Sequence, residues 1–228
     1  MKTLYRNLAT AIFLLCSFSA QAGVVSSQGS FATDDEVQLF NFSLSSDFLF
    51  SARTWSFGGG VNGAGDSIAA GGFAPILSLF SATGNQDLLQ IAQAGAGGSC
   101  PAGANTDAVS GFCFDVGISA LLTAGDYLLA LTQDSNTPFG PFFTDGFLQA
   151  GRGNFTGPDY LGTDGQCILV DGSQRTCNWA VDLVLPDAVV NVPEPGSLAL
   201  LALGLVTLAG LKRRPAGKRG ASEEDRHS

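Results

Sequence analysis

Short apolar segments with a two-residue period fill the middle of this 228-residue chain. They are rich in aromatic and β-branched side chains and are separated by clusters of glycine, asparagine, aspartate and serine, a pattern typical of strands joined by turns. The predicted strands cover residues 37–44, 48–55, 75–80, 87–92, 115–122, 126–133 and 179–185. Residues 23–191 contain no long segment of helical periodicity, which disfavours a parallel α/β fold. The pattern predicts an all-β protein, an antiparallel β-sandwich of the jelly-roll kind.

Charge divides the chain into three blocks. Residues 1–22 carry two bases and no acid, residues 23–191 carry three arginines and sixteen acids, and residues 192–228 carry six bases and four acids. The middle block therefore has a net charge of −13, against −9 for the whole chain. A nucleic-acid-binding protein needs a basic face that displaces counterions from phosphates, so this class is disfavoured. The predicted segments are a signal peptide at 1–22, a β-sandwich at 23–187, a linker at 188–196, a transmembrane helix at 197–211 and a basic cytoplasmic tail at 212–228.

The first block has the organisation of a secretory signal peptide. Lys2 and Arg6 precede an apolar stretch at residues 8–18, and Ala20-Gln21-Ala22 forms a small-residue cleavage site. We predict cleavage by signal peptidase between Ala22 and Gly23. A short buried helix is the less favoured interpretation of this segment.

The last block combines a proline motif, an apolar stretch and a basic cluster. Pro193-Glu194-Pro195 precedes an uncharged stretch at 197–211, which ends at Lys212-Arg213-Arg214. A helix of about fifteen residues covers about 22 Å, and snorkelling of the basic side chains together with local thinning of the bilayer closes the gap to a hydrocarbon core of about 30 Å. Because basic clusters remain on the cytoplasmic side of a membrane, residues 23–195 are predicted to lie on the opposite side of the membrane that the helix spans.

This combination at residues 192–214 resembles the PEP-CTERM sorting signal of Gram-negative bacteria. The resemblance implies recognition by exosortase, an integral-membrane cysteine transpeptidase. It also implies cleavage near the motif, after which the protein is released to the cell surface or the extracellular polymer. An ordinary C-terminal membrane anchor is the alternative.

Four cysteines follow the predicted signal peptide: Cys100, Cys113, Cys167 and Cys177. They allow three pairings, of which we favour the local ones, Cys100–Cys113 and Cys167–Cys177, because each would close one loop. Export makes disulfides chemically plausible. A zinc site is the alternative, but this block has no C-x-x-C motif and no histidine.

Much of the middle block also resembles the bacterial pre-peptidase C-terminal-type domain, a small exported jelly roll. The resemblance rests on the segments at 34–40, 75–80 and 121–131, above all on Ala124-Gly125-Asp126-Tyr127. Two further segments, Arg53-Thr54-Trp55 and residues 178–182, resemble segments of exported PEP-CTERM proteins that are built on this domain. The loop at 87–93 lacks the Asn-Asp pair that the family often uses to hold calcium.

The residues give little support to a catalytic or metal function. The only histidine is His227, so Ser or Cys nucleophiles in the middle block have no histidine partner. A glycosidase would need two facing carboxylates, and no spacing singles out such a pair. The densest acidic cluster, Asp34, Asp35 and Glu36, is the candidate calcium site, although turn-forming acids on a solvated surface are the favoured interpretation. We predict no cofactor.

Loop aromatics offer flat apolar faces to sugar rings, which makes a polysaccharide partner conceivable. The candidates are Trp55, Phe57, Phe139, Phe142, Phe143 and Tyr160. The favoured interpretation is that Trp55 and Trp179 fill the sandwich core. The loop at 139–143 is expected to fold back over an open end of the sandwich or to meet a partner, because three exposed phenylalanines would be costly.

The sequence therefore predicts a non-enzymatic, disulfide-stapled protein that is exported across the inner membrane, anchored transiently, and then placed at the cell surface or in the extracellular polymer. Its predicted partners are signal peptidase and exosortase, with extracellular polysaccharide as a candidate ligand. A carbohydrate- or calcium-dependent binding module is the alternative.

Overall fold

The computed structural model describes residues 22–93 and 100–186, and nearly all regular structure within them is β-strand. One 3-10 turn at Phe143–Asp145 and one short helix, α1, at Thr156–Tyr160 are the exceptions among the described residues. The strands are β1 (Ala22–Ser30), β2 (Gln38–Leu44), β3 (Phe48–Thr54), β4 (Gly60–Val61), β5 (Ser67–Ile68), β6 (Pro75–Ser81), β7 (Leu88–Gln93), β8 (Gly117–Leu122), β9 (Gly125–Gln133) and β10 (Asn178–Pro186).

Eight of these strands form two four-stranded sheets. The first sheet has the order β1-β10-β3-β8 and the second sheet has the order β2-β9-β6-β7. All neighbours in both sheets are antiparallel, and β4 and β5 form a separate hairpin. Because the consecutive strands β2 and β3 belong to different sheets, the chain crosses between the layers as in a sandwich.

The main core lies between the sheets and is rich in aromatic rings. Phe42 of β2 stacks on Phe50 of β3 with ring centroids 4.6 Å apart, and Phe40 meets Trp179 of β10 edge-on at 6.0 Å. Alternate residues of β10 point into this core, which explains the two-residue period of the sequence. Full burial of each such side chain contributes about 1.5–3 kcal/mol.

A second apolar cluster covers the outer face of the second sheet. Phe80 of β6 and Leu128 of β9 face away from the main core and pack against Phe143 and Phe147. The rings of Phe80 and Phe143 meet edge-on at 5.5 Å. The loop that follows β9 therefore folds back onto the outer face of the second sheet. The sequence predicts instead that this loop covers an open end of the sandwich or meets a partner.

The predicted all-β, antiparallel sandwich is confirmed. All seven predicted strands are present, with ends shifted by at most two residues. β1 was not predicted, because its residues are small or polar and it contains no aromatic side chain. Antiparallel pairing with β10 along its whole length stabilises β1, although its composition does not favour a strand. Gly29 is required there, since an added Cβ would lie 2.5 Å from the Trp179 ring.

The segments predicted to insert into the membrane fall outside this description. Residues 1–21 of the predicted signal peptide and the predicted helix at 197–211 are not among the described residues. Within 22–93 and 100–186, no helix is long and apolar enough to cross a membrane.

Candidate functional site

The two ends of the described domain lie side by side. Ala22 is paired with Pro186, and Gly23 with Leu185, at one end of the β1–β10 ladder. Paired strands lie about 4.8 Å apart. The predicted signal-peptidase site at Ala22–Gly23 is therefore adjacent to the point where the chain leaves β10 toward the sorting motif. Pro193, Glu194 and Pro195 and the basic cluster of Lys212, Arg213 and Arg214 lie outside the described residues.

Two disulfides close neighbouring loops. Cys100 is bonded to Cys113, with Cα atoms 5.3 Å apart, and Cys167 to Cys177, with Cα atoms 5.5 Å apart. These are the local pairs favoured by the sequence. Cys167 and Cys177 are buried within the main core, where their bond anchors the loop that precedes β10.

A buried ion pair joins the two disulfide loops. The Arg175 guanidinium lies 3.3 Å from the Asp107 carboxylate, and it stacks on the Phe57 ring at 4.1 Å. It also donates to the carbonyl oxygens of Phe57 and Gly72. Burial alone would raise the pKa of Asp107, but hydrogen bonds from Ser110 and Arg175 outweigh this effect and hold the pKa below its usual value. The contacts fix Asp107 as an anion that ties one loop to the other.

Removing either disulfide is expected to destabilise the domain by about 2–4 kcal/mol, since the closed loops span 13 and 10 residues and constrain the unfolded chain similarly. The Cys167→Ser/Cys177→Ser variant should lose more than Cys100→Ser/Cys113→Ser, because it also places hydroxyl groups in the core. Denaturant unfolding of both variants measures the difference. Equal midpoints for the two variants and the wild type would contradict the structural role.

The acidic cluster at residues 34–36 does not gather its carboxylates at one point. Asp34 is fully buried and accepts from the backbone N–H of Cys167 at 2.7 Å and from both the N–H and hydroxyl of Thr156. Asp35 accepts from Gly151 and Thr33, whereas Glu36 accepts from the N–H of Ala32. The three candidate calcium ligands thus satisfy three separate sets of protein donors.

The carboxylate of Asp34 also lies close to two sulfur atoms, a grouping that superficially suggests a metal site. The ligand atoms of Asp34, Cys167 and Cys177 lie within 4.8 Å of one another. Both sulfurs belong to a disulfide, however, and a metal ligand must be a free thiolate. The grouping therefore serves the fold, with Asp34 holding the disulfide loop against α1.

A second buried carboxylate brings together two segments that the sequence analysis noted separately. Asp182 of β10 accepts from the indole N–H of Trp55 at 2.7 Å, from the N–H of Gly63 at 2.8 Å and from the hydroxyl of Ser26 at 2.6 Å. The guanidinium of Arg53 lies 3.6 Å from the same carboxylate. Asp182 thus links β1, β3, β10 and the β4–β5 hairpin on the outer face of the first sheet.

The sequence favours a position of Trp55 in the sandwich core, but this prediction is wrong. Trp55 faces outward from the first sheet and is nevertheless only 2% exposed. Arg53 stacks on one side of its ring at 4.6 Å, and the backbones of Gly60 and Gly103 approach it closely. An added Cβ at Gly60 would lie 2.9 Å from the ring, so only glycine lets this loop cover the tryptophan. Trp179 does lie in the core.

Most of the aromatic candidates for sugar stacking are covered. Phe57 is fully buried, and Phe142, Phe143 and Tyr160 are half-buried. Phe139 is the exception among the six candidates, with 70% of its surface exposed. An aromatic platform at the positions that the sequence indicated is therefore reduced to one ring.

Comparison with known proteins identifies one segment of the chain. The family model of the PEP-CTERM protein-sorting motif matches residues 191–214. No curated protein matches the chain. Among solved structures, the pre-peptidase C-terminal domain of a collagenase from Bacillus anthracis matches with 9% identity and a TM-score of 0.32, covering 70% of this chain and 85% of that one. The chain carries a PEP-CTERM sorting motif, which indicates an exported protein sorted at the membrane by an exosortase-type system.

Proposed function

We propose that the β-sandwich is a non-enzymatic structural or adhesive component of the cell surface or extracellular polymer. The observation that carries this proposal is the position of the sorting motif. The match begins at residue 191, and only residues 187–190 separate it from the end of β10. A motif used for delivery therefore directly follows a domain whose buried carboxylates are occupied by structural hydrogen bonds.

The proposed route uses both ends of the chain. Signal peptidase cleaves between Ala22 and Gly23, and the helix at 197–211 holds the protein until exosortase cleaves near Pro193-Glu194-Pro195. The pairing of Ala22 with Pro186 supports this route, because both membrane-directed segments depart from the same end of one ladder. A folded domain can thus remain attached to the membrane without unpairing β1 from β10.

Replacing Pro193 and Glu194 by alanine is expected to keep the protein in the membrane fraction. The wild-type protein should appear at the surface or in the polymer fraction of the producing cells. Pro215→Ala is the matched control, since this proline lies just beyond the matched residues 191–214. Immunoblots of the fractions measure the distribution. Release of the Pro193→Ala/Glu194→Ala variant at the wild-type level would contradict the proposal, and retention of both the variant and the wild type in the membrane fraction would favour an ordinary anchor.

A groove on the outer face of the first sheet favours a second candidate function, polysaccharide binding. Its volume is about 560 Å³, and uncharged polar side chains line it beside the apolar Ile68, Ala69 and Trp179: Gln28, Ser30, Ser56, Ser67 and Asn178. Amide and hydroxyl groups of this kind hydrogen-bond sugar hydroxyls without the desolvation cost of a charge. Calorimetric titration with exopolysaccharide from the same cells, in calcium and in chelator, tests this candidate. Heat that Gln28→Ala/Asn178→Ala abolishes would support the groove, and unchanged heat would exclude it.

A further inference from the structure

A cavity lies between the two disulfide loops, away from the groove and the sorting motif. Its volume is about 220 Å³. One wall comes from Phe112 and Phe114, which flank Cys113, and another comes from Leu169 and Val170, which lie between Cys167 and Cys177. We call it the disulfide cavity. Small-molecule sites usually span about 300–1,000 Å³, so this volume suits a single ring-sized group.

The walls of the disulfide cavity are held rigidly. Phe112 lies inside the loop closed by Cys100–Cys113, and Phe114 directly follows Cys113. Leu169 and Val170 lie inside the loop closed by Cys167–Cys177, and the Arg175–Asp107 ion pair joins the two loops. Leu169 and Phe114 pack in a small apolar cluster with Phe57, and the Phe57 and Phe114 rings meet edge-on at 4.8 Å. A preformed cavity loses little conformational entropy when a ligand enters.

The lining is mainly apolar and includes a partly exposed aromatic ring. Phe112 is 42% exposed and tilts against Phe114 with ring centroids 5.7 Å apart. Ala74, Leu169 and Val170 supply aliphatic surface. An open phenylalanine face offers contact to the C–H groups of a saturated ring and attracts a nearby cation.

Two carboxylates, Asp134 and Asp171, also line the cavity, together with Ser110. Oδ1 of Asp134 accepts from the amide of Gln93, and Oδ1 of Asp171 accepts from the N–H and hydroxyl of Ser173. In both residues these bonds use one carboxylate oxygen, and no donor within residues 22–93 and 100–186 bonds to Oδ2. The bonds from Ser173 lower the pKa of Asp171 further below its ordinary value, so this group is anionic at neutral pH.

The charge of the surrounding protein favours a positively charged ligand. Residues 22–186 contain fifteen acids, three arginines and no lysine, a net charge of −12. Each of the three arginines forms an ion pair: Arg53 with Asp182, Arg152 with Asp159, and Arg175 with Asp107. A cation near the disulfide cavity therefore meets a net negative field, although the charge of Arg175 also acts on Asp171 and offsets part of its attraction.

We propose that the disulfide cavity binds one amino-sugar unit with a free amine, as found in a partly deacetylated polysaccharide. The ring packs on Phe112 and the aliphatic wall, and the ammonium donates to Oδ2 of Asp134 or Asp171. A purely apolar ligand would leave these carboxylates without a donor, and an anionic one would be repelled. A bare metal ion would make no use of the apolar wall. This inference does not depend on the sorting route, because it concerns the folded domain alone.

Titration of the protein purified from the producing cells, with its disulfides oxidised, tests the proposal. The probes are the tetramers of glucosamine and of N-acetylglucosamine, which share the ring and differ in charge. We expect the glucosamine tetramer to bind about tenfold more tightly than the N-acetylglucosamine tetramer, because only its ammonium can donate a charge-assisted hydrogen bond to a carboxylate. Equal affinity for the tetramers, or no binding of the glucosamine tetramer, would overturn the proposal. Cyclohexylamine that competes as strongly as the tetramer would overturn the assignment to a sugar.

Three variants separate this site from general charge attraction. Asp134→Asn and Asp171→Asn keep the Oδ1 acceptor that Gln93 and Ser173 use, so the loops should remain folded, while affinity for the glucosamine tetramer falls about tenfold. Asp47→Asn removes the same charge from the exposed turn between β2 and β3 and is expected to change affinity less than about twofold. An equal loss in all three variants would reduce the binding to non-specific attraction and overturn the proposal.

Loss of the ring wall provides an independent check. Phe112→Ala removes the partly exposed ring and leaves the backbone bond from Asp107 N–H to the Phe112 carbonyl in place. We expect affinity for the glucosamine tetramer to fall about fivefold with an unchanged unfolding midpoint. Unchanged affinity in this folded variant would show that the ligand does not enter the disulfide cavity.

Discussion

Asp34→Ala is expected to lower the free energy of unfolding by about 3–5 kcal/mol, because three buried donors lose one charged acceptor. The donors are the N–H of Cys167 and the N–H and hydroxyl of Thr156. They belong to the disulfide loop and to α1, both more than 120 residues away along the chain. The bonds therefore hold parts of the domain that no strand pairing joins. Denaturant unfolding with the disulfides intact measures the loss.

Glu36→Ala is the matched control for Asp34→Ala. Glu36 lies in the same acidic cluster but accepts from the N–H of Ala32 in an exposed position, so its loss should cost less than about 1 kcal/mol. Asp34→Asn should also be severe, because the two oxygens of Asp34 face donors on both sides and an amide nitrogen would oppose one of them. Equal losses for Asp34→Ala and Glu36→Ala would refute the structural account of this cluster.

Asp182→Ala is expected to cost about 3–4 kcal/mol, because it leaves the Trp55 indole and the Gly63 N–H without their acceptor under the hairpin. Asp182→Asn should cost only about 1 kcal/mol. Its remaining oxygen can serve Trp55 and Gly63, and its amide can donate to the Ser26 hydroxyl, which already accepts from Ala64. Denaturant unfolding gives the free energies, and amide hydrogen exchange at Gly63 and Ala64 reports the local effect.

The exposed Asp126 provides the control for Asp182. It accepts from Ser43 at the edge of the second sheet, and Asp126→Ala should cost less than about 1 kcal/mol. Faster exchange at Gly63 in Asp182→Ala, with no change in Asp126→Ala, is the expected pattern. If Asp182→Asn proves as severe as Asp182→Ala, the charge of the carboxylate, including its attraction to Arg53, matters more than its hydrogen bonds.

The strands could be predicted because their alternation is local. Trp179, Val181, Leu183 and Leu185 alternate with outward residues, and the structure buries them together in the core. β1 lacks such a pattern, since its stability comes from pairing with β10 about 156 residues later. Its existence could be recognised only after the partner strand had been placed.

The buried carboxylates could not be predicted for a related reason. Asp34 and Asp182 look like other acids in a chain rich in surface aspartate, and their donors lie far away in sequence. Trp55 was misplaced because a tryptophan in a strand usually faces the core. Here Gly60 and Gly103 make room for it on the outer face. The glycine-rich loops thus cover Trp55 on the outer face of the first sheet, and composition alone does not reveal this packing.

The disulfide cavity combines features that could be predicted from the sequence with features that could not. The local cysteine pairs could be favoured from spacing, since each closes a short loop. The approach of one loop to the other depends on the Arg175–Asp107 pair, which spans 68 residues. Asp134 then joins from the end of β9. Without the sheet topology, these residues form no pattern in the sequence.

The intact mass of the protein isolated from its producing cells tests the central claim most directly. We predict a chain that begins at Gly23, lacks residues 197–228, and weighs four hydrogens less than its fully reduced form, because two disulfides are present. Such a mass would establish both processing steps and both disulfides in one measurement. A mass that retains residues 197–228 would contradict sorting by cleavage at the PEP-CTERM motif.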